Sequence, residues 1–363
     1  MTQTISLNAV PRPAGGHLFE DFAVGRRFHH VTPRTLTEGD ASLYIALTGA
    51  RQPIHSCTPL ALAMGHRACP LDDFLVFNVA FGKTVPDISY NAIANLGYAD
   101  VRFVAPVYAG DTLSCESVVI GTKENSNGKS GVVYVHSRAF NQDRAEVLTW
   151  IRWVMVPMRK AIGGERTHAP VVPPLPEHVE PSRLTVPAFL KPAALQPHYT
   201  GGARLWEDYT PGEVMHHPGG MTIEEADHMM ATRLYQNTAR IHFDAFHARD
   251  NQFGKRLVYG GHVISLCRAL SYDGLENAFA IAAIHGGTHA NPTFAGDTLY
   301  CRHVVLGREK LAGRSDVGAL RLRMVGAKNV DLAKLPDLPP GERNDAVVLD
   351  LDYSVLIPRR QTP

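Results

Sequence analysis

The chain repeats itself. The string Leu18-Phe-Glu-Asp-Phe22-x-x-Gly25 returns 187 positions later as Leu205-Trp-Glu-Asp-Tyr209-x-x-Gly212. The same offset carries His29-His30 onto His216-His217, Glu38 onto Glu225, Asp40 onto Asp227 and His55 onto His242. Thirty-eight consecutive positions align without a gap. A second match, Pro106-Val-Tyr-Ala-Gly110 with Pro292-Thr-Phe-Ala-Gly296, follows at an offset of 186. A repeat of this length means two copies of one fold, and 363 residues are enough for two cores. Between the copies, residues 170–197 hold eight prolines, which remove backbone donors and favour extended chain. The organisation expected is a first domain over 17–160, a linker over 161–203 and a second domain over 204–360.

Each copy reads as helices followed by a strand meander. Thr35-x-x-Glu38 and Thr222-x-x-Glu225 have the spacing of capping boxes that open helices. Strands are expected over 112–122, 132–140 and 148–156, and again over 298–306, 319–325 and 347–357, where β-branched residues run or alternate. The fold class expected is α+β, with the two sheets side by side as one.

Composition narrows the function. With 45% hydrophobic and 20% charged residues the chain reads as globular, and a net charge of +1 supplies no field for nucleic acid or an anionic membrane. No apolar run is long enough for a membrane span, and Met1 to Gly16 lacks the pattern of a secretory signal. Five scattered cysteines suit reduced thiols, so a cytoplasmic location is expected. Neighbours such as His29 and His30 point to opposite faces of a strand, and HExxH is absent. No metal and no cofactor are expected.

One segment combines groups with a joint chemical use. Asn237 and Arg240 lead to His242-Phe-Asp244, and about eighteen residues later Gly260-Gly261 open an apolar stretch. Glycines at a helix N-terminus let a backbone N–H approach a ligand oxygen where the helix dipole favours negative charge. Such an N–H stabilises a thioester carbonyl as it becomes an enolate. A histidine beside it can move a proton at the neighbouring carbon.

His242, Asp244 and Gly260 resemble the pattern of the MaoC-like enoyl-CoA hydratases, Asp-x-Asn-Pro-x-His-x-Asp followed by Ile-x-His-Gly. Asn237 stands where that family carries its aspartate, and Tyr259 replaces the histidine before the glycine. Longer strings resemble the mesaconyl-CoA hydratases (β-methylmalyl-CoA dehydratases): Phe81-Gly-Lys-Thr-Val-Pro-Asp87, Asn95-Leu-Gly-Tyr98, Glu124-Asn-Ser-Asn-Gly128, Gln236-Asn-Thr-Ala-Arg240 and Val348-Leu-Asp-Leu-Asp-Tyr353. The resemblance implies a double hot-dog fold and reversible hydration of mesaconyl-C1-CoA to β-methylmalyl-CoA. It also implies that the asparagine in place of aspartate is a trait of the subgroup.

On this reading His242 is catalytic, Asn237 orients water or an intermediate oxygen, and Asp244 either joins the proton transfer or orients the histidine. Gly260 or Gly261 holds the thioester oxygen. Arg240 is a candidate for the free carboxylate of a dicarboxylic substrate, the alternative being a surface arginine with an acidic neighbour. His55 matches His242, but Ala50 stands at the Asn237 position and Asn78-Val79 is expected roughly where the glycines would be. The first copy is therefore read as degenerate, shaping the pocket. The expected partner is a small-molecule CoA thioester, with a homodimer left open. A hot-dog thioesterase and a non-catalytic acyl-CoA-binding protein are the competing classes.

Overall fold

The computed structural model describes residues 13, 15–159, 169–336, 339, 342 and 344–360. Residues 161–168 of the expected linker, and most of the segment searched for a signal, lie outside the described residues. The first half runs β1 (Arg27–Thr35), α1 (Glu38–Thr48), α2 (Thr58–Ala63), α3 (Asp73–Ile88), then β2 to β5 (Ala94–Phe103, Thr112–Glu124, Ser130–Phe140, Glu146–Pro157). A single turn, α4 (Pro197–Thr200), follows in the linker. The second half runs β6 (Val214–Thr222), α5 (Glu225–Leu234), α6 (Arg240–Phe243), α7 (Ala245–Ala248), α8 (Gly260–Leu270), then β7 to β10 (Ala280–Thr288, Thr298–Lys310, Val317–Lys328, Val347–Pro358).

All ten strands form one antiparallel sheet in the order β1-β3-β4-β5-β2-β7-β10-β9-β8-β6. The halves join at its centre, where Tyr98 of β2 pairs with Gly287 of β7 and Arg102 with Ala283. Alternation builds the strands: β3 buries every second residue through most of its length, as a one-sided sheet requires. Each half then covers its sheet with one long helix. α3 is buried nearly all round and wedges Phe77 between Tyr98, Phe103 and Trp150. A helix apolar on every side belongs in a core. α8 occupies the equivalent place against β6, β8 and β9. This is the double hot-dog arrangement expected.

The two central helices touch. Asn78 of α3, fully buried, donates from Nδ2 to the Gly261 carbonyl (3.2 Å) and to Ser265 Oγ (3.0 Å) of α8. The linker crosses the sheet: Val171 pairs with Thr122 of β3, Val179 N–H donates to His285 of β7, and Arg314 holds the carbonyls of Pro187 and Leu190. Among the described residues no helix is long and apolar enough to cross a membrane.

The helix starts need correction. Thr35 and Thr222 are not caps; they end β1 and β6, where their hydroxyls bond Thr112 and Thr298 at 2.7 Å. The box that opens α1 is Thr37 with Asp40, two residues later. Residues at the end of β1 satisfy two competing registers, and strand pairing claims the first.

Candidate active site

The histidine is set by a tight reversal after α5. Gln236 takes a left-handed backbone (φ 53°), uncommon for a side chain with a Cβ, and Lys83 of α3 holds its side chain through a hydrogen bond. That turn delivers Asn237, 5% exposed, with its N–H on the Thr232 carbonyl. Asn237 Oδ1 accepts from the Ala239 N–H at 3.0 Å, so the face of its amide left over is the NH₂ donor.

His242 sits on the single turn α6. Its Nδ1 lies 3.0 Å from the Leu257 carbonyl oxygen, which can only accept. Nδ1 therefore carries the proton and Nε2 presents a lone pair. Tyr259 packs edge-on against the ring, centroids 5.6 Å apart. Burial lowers the imidazole to about 4, so it is a neutral base at ordinary pH.

Gly260 and Gly261 open α8, and their N–H groups have no acceptor inside the helix. Tyr259 at the N-cap makes no side-chain bond to them. A Cβ on Gly260 would lie 2.5 Å from the His289 ring, and a Cβ on Gly261 would lie 2.0 Å from Asn78 Oδ1. The two glycines thus answer different needs. Gly260 lets the backbone face the cavity, whereas Gly261 lets α8 approach α3.

Asn237, His242 and Gly260 line one cavity of about 260 Å³. It lies at the seam, because Phe81, Asn95, Tyr98 and Arg152 of the first half complete its wall. The other expected residues are elsewhere. Gly261 is not in the lining. Asp244 caps α7 by accepting from the His247 N–H at 2.9 Å. Arg240 is exposed and turned onto Tyr90, its Nε–H donating to the phenol oxygen at 3.0 Å. In the first half the offset sets Asp73, not the expected Asn78-Val79, opposite Gly260, and α3 begins there.

Sequence reasoning missed four residues of the wall. His289, just past β7, packs on Gly260 and bonds Tyr98 Oη through Nε2 at 3.1 Å. Burial, and repulsion from His242 when that ring is protonated, lower it to about 4. Its spacing from His285, and the Phe103 that the repeat sets opposite it, were the available signals. Tyr98, Asn95 and Arg152 come from strands of the copy read as degenerate.

The profile of the mesaconyl-CoA hydratase family matches residues 2–333. The chain belongs to that family. It is 52% identical to the beta-methylmalyl-CoA dehydratase of Chloroflexus aurantiacus, an alignment covering 95% of this chain and 98% of that one. It is 48% identical to the mesaconyl-CoA hydratase of Cereibacter sphaeroides, again over 95% and 98%. Among solved structures, a protein described as a MaoC domain dehydratase from Chloroflexus aurantiacus superposes with a TM-score of 0.92 at 51% identity, covering 97% of this chain and all of that one. A Mycobacterium tuberculosis protein described as a double hotdog fold superposes at 0.74 with 24% identity over 95% of this chain and 99% of that one, which supports the architecture alone. As a family member, this mesaconyl-CoA hydratase homologue is a hydro-lyase.

Proposed function

We propose that the chain reversibly hydrates mesaconyl-C1-CoA to β-methylmalyl-CoA, with His242, Asn237 and Gly260 as its working groups. The observation that carries the reading is the convergence of a neutral imidazole, an amide donor and an uncapped helix N-terminus on one cavity. The thioester oxygen lies on the Gly260 N–H, where the α8 dipole stabilises the enolate. His242 Nε2 takes a proton from a water whose oxygen adds to the β-carbon, then returns that proton to the α-carbon. Asn237 donates its NH₂ to the attacking oxygen and holds it in line; being unable to titrate, it takes no proton. His289, neutral through burial, walls the oxygen site against Gly260.

The test is a spectrophotometric assay of the enoyl-thioester absorbance with mesaconyl-C1-CoA, run beside a thiol reagent. Loss of absorbance without free CoA is the expected result. Release of CoA would instead make the chain a thioesterase, and binding without any spectral change would make it a non-catalytic acyl-CoA-binding protein.

A further inference from the structure

The first half places a cation in the cavity wall that no carboxylate among the described residues neutralises. Arg152 of β5 is 0% exposed. Its guanidinium stacks on Phe81, 4.1 Å from the ring centroid, and donates to Ser89 Oγ (3.2 Å) and Thr84 Oγ1 (2.9 Å). Those contacts fix its plane, but they are neutral. Among the described residues no carboxylate pairs with it, and its Nε–H has no partner. Burial pulls it down to about 10, which still leaves it charged at neutral pH. A buried charge without a counter-ion is costly, and proteins keep one where an anion arrives.

Its surroundings have the same unmet capacity. The Tyr259 hydroxyl is buried without a partner, and its ring packs 5.8 Å from Phe81, the ring on which Arg152 stacks. Both polar atoms of the Asn95 amide are likewise buried and unpartnered. All three side chains line the cavity that holds His242 and Gly260. Buried polar groups are ordinarily satisfied, so three in one cavity wall mark a missing ligand.

We infer that Arg152, with Tyr259 and Asn95, forms the receptor for the free carboxylate of the acyl group. The inference rests on the proposed hydration of a dicarboxylic enoyl-CoA and moves the carboxylate contact from exposed Arg240 to a buried site. The planar fork of an arginine suits a carboxylate, and a site built to pair a charged group rejects an analogue that lacks it. Tyr259 thereby gains a function: it replaces the histidine usual before the glycine and turns a hydroxyl toward the acyl end.

The experiment measures binding of two saturated esters that cannot be hydrated, 2-methylsuccinyl-CoA and 2-methylbutyryl-CoA, which differ in the carboxylate. The affinity ratio favours the dicarboxylic ester in the wild type and falls about 100-fold in Arg152→Met. Tyr259→Phe guards against a folding defect, because deleting an unpartnered buried hydroxyl does not destabilise the core; it lowers the ratio about 10-fold. Ratios unchanged within about threefold in the folded variants would overturn the subsite, whether or not the wild type hydrates mesaconyl-C1-CoA. Absent turnover with the ratio effects intact would refute the hydratase reading and leave the carboxylate receptor standing.

Discussion

The two halves carry the same histidine in the same setting and differ in what faces it. His55 Nδ1 lies 3.0 Å from the Pro70 carbonyl, as His242 Nδ1 lies 3.0 Å from that of Leu257, and the repeat offset relates both residues of each pair. The contrast begins at the helix. α3 opens with Asp72 capping the Phe74 N–H at 2.8 Å and with Asp73, whose carboxyl accepts from Ile281 N–H and is pushed up to about 6 by burial. α8 opens with Tyr259, which caps nothing, and Gly260. The first cavity is about 50 Å³, with Pro187 and Leu190 of the linker in its wall; the second is about 260 Å³. A histidine held by a carbonyl is therefore not enough. On the proposed reading, the helix N-terminus must be left without its own carboxylate, at the loss of a cap that stabilises by about 1 kcal/mol, before a thioester oxygen can use it.

The largest break in this symmetry is expected at the histidines themselves. His242→Gln should lower kcat on mesaconyl-C1-CoA about 1000-fold, whereas His55→Gln should leave it within about threefold. Equal losses would mean that both halves work. Next comes Gly260→Ala, whose methyl would meet the His289 ring and push the thioester off the N–H; kcat should fall about 100-fold. The reverse exchange, Asp73→Gly, should create no second activity, because the first cavity remains small.

Acid should expose the burial that tunes these rings. His242 and His289 are lowered to about 4, as are His217 and His285 elsewhere in the fold. The unfolded chain takes protons near 6.5 that the folded chain refuses, so stability falls as pH drops from about 6.5 to about 4. Each such ring adds up to about 1.4 kcal/mol per pH unit to that slope. Denaturant midpoints across this range would show it, and a flat profile would contradict the buried neutral rings. The smallest effects belong to two charged side chains outside the cavity. Arg240→Met and Asp244→Ala should each leave kcat/KM within about twofold, Asp244→Ala costing about 1 kcal/mol of stability as a lost cap. A loss above tenfold in either would return it to the site.

Much of this contrast could be read from residues alone. The ungapped repeat fixed the duplicated fold, and period-two burial located the meander of each half. That His242, Asn237 and Gly260 would come together was legible because they are local in sequence, and they line one cavity. Arg152 was hidden by its own strand. Leu148, Trp150, Val154 and Val156 share its face, but Ile151, Trp153 and Met155 make the other face apolar too, so alternation does not say which way the arginine points. His289 follows β7 outside any motif, and only the β2–β7 seam brings Tyr98 against it. Arg240 is adjacent in sequence to the site yet turns onto Tyr90, because adjacency on a single helical turn says nothing about direction.

One active site per chain is the central claim, and counting bound ligand tests it most directly. Calorimetric titration with 2-methylsuccinyl-CoA, which cannot turn over, should reach one molecule per chain. Two per chain would show that the first half still receives a CoA ester, and the asymmetry drawn from Asp73 and Gly260 would fail.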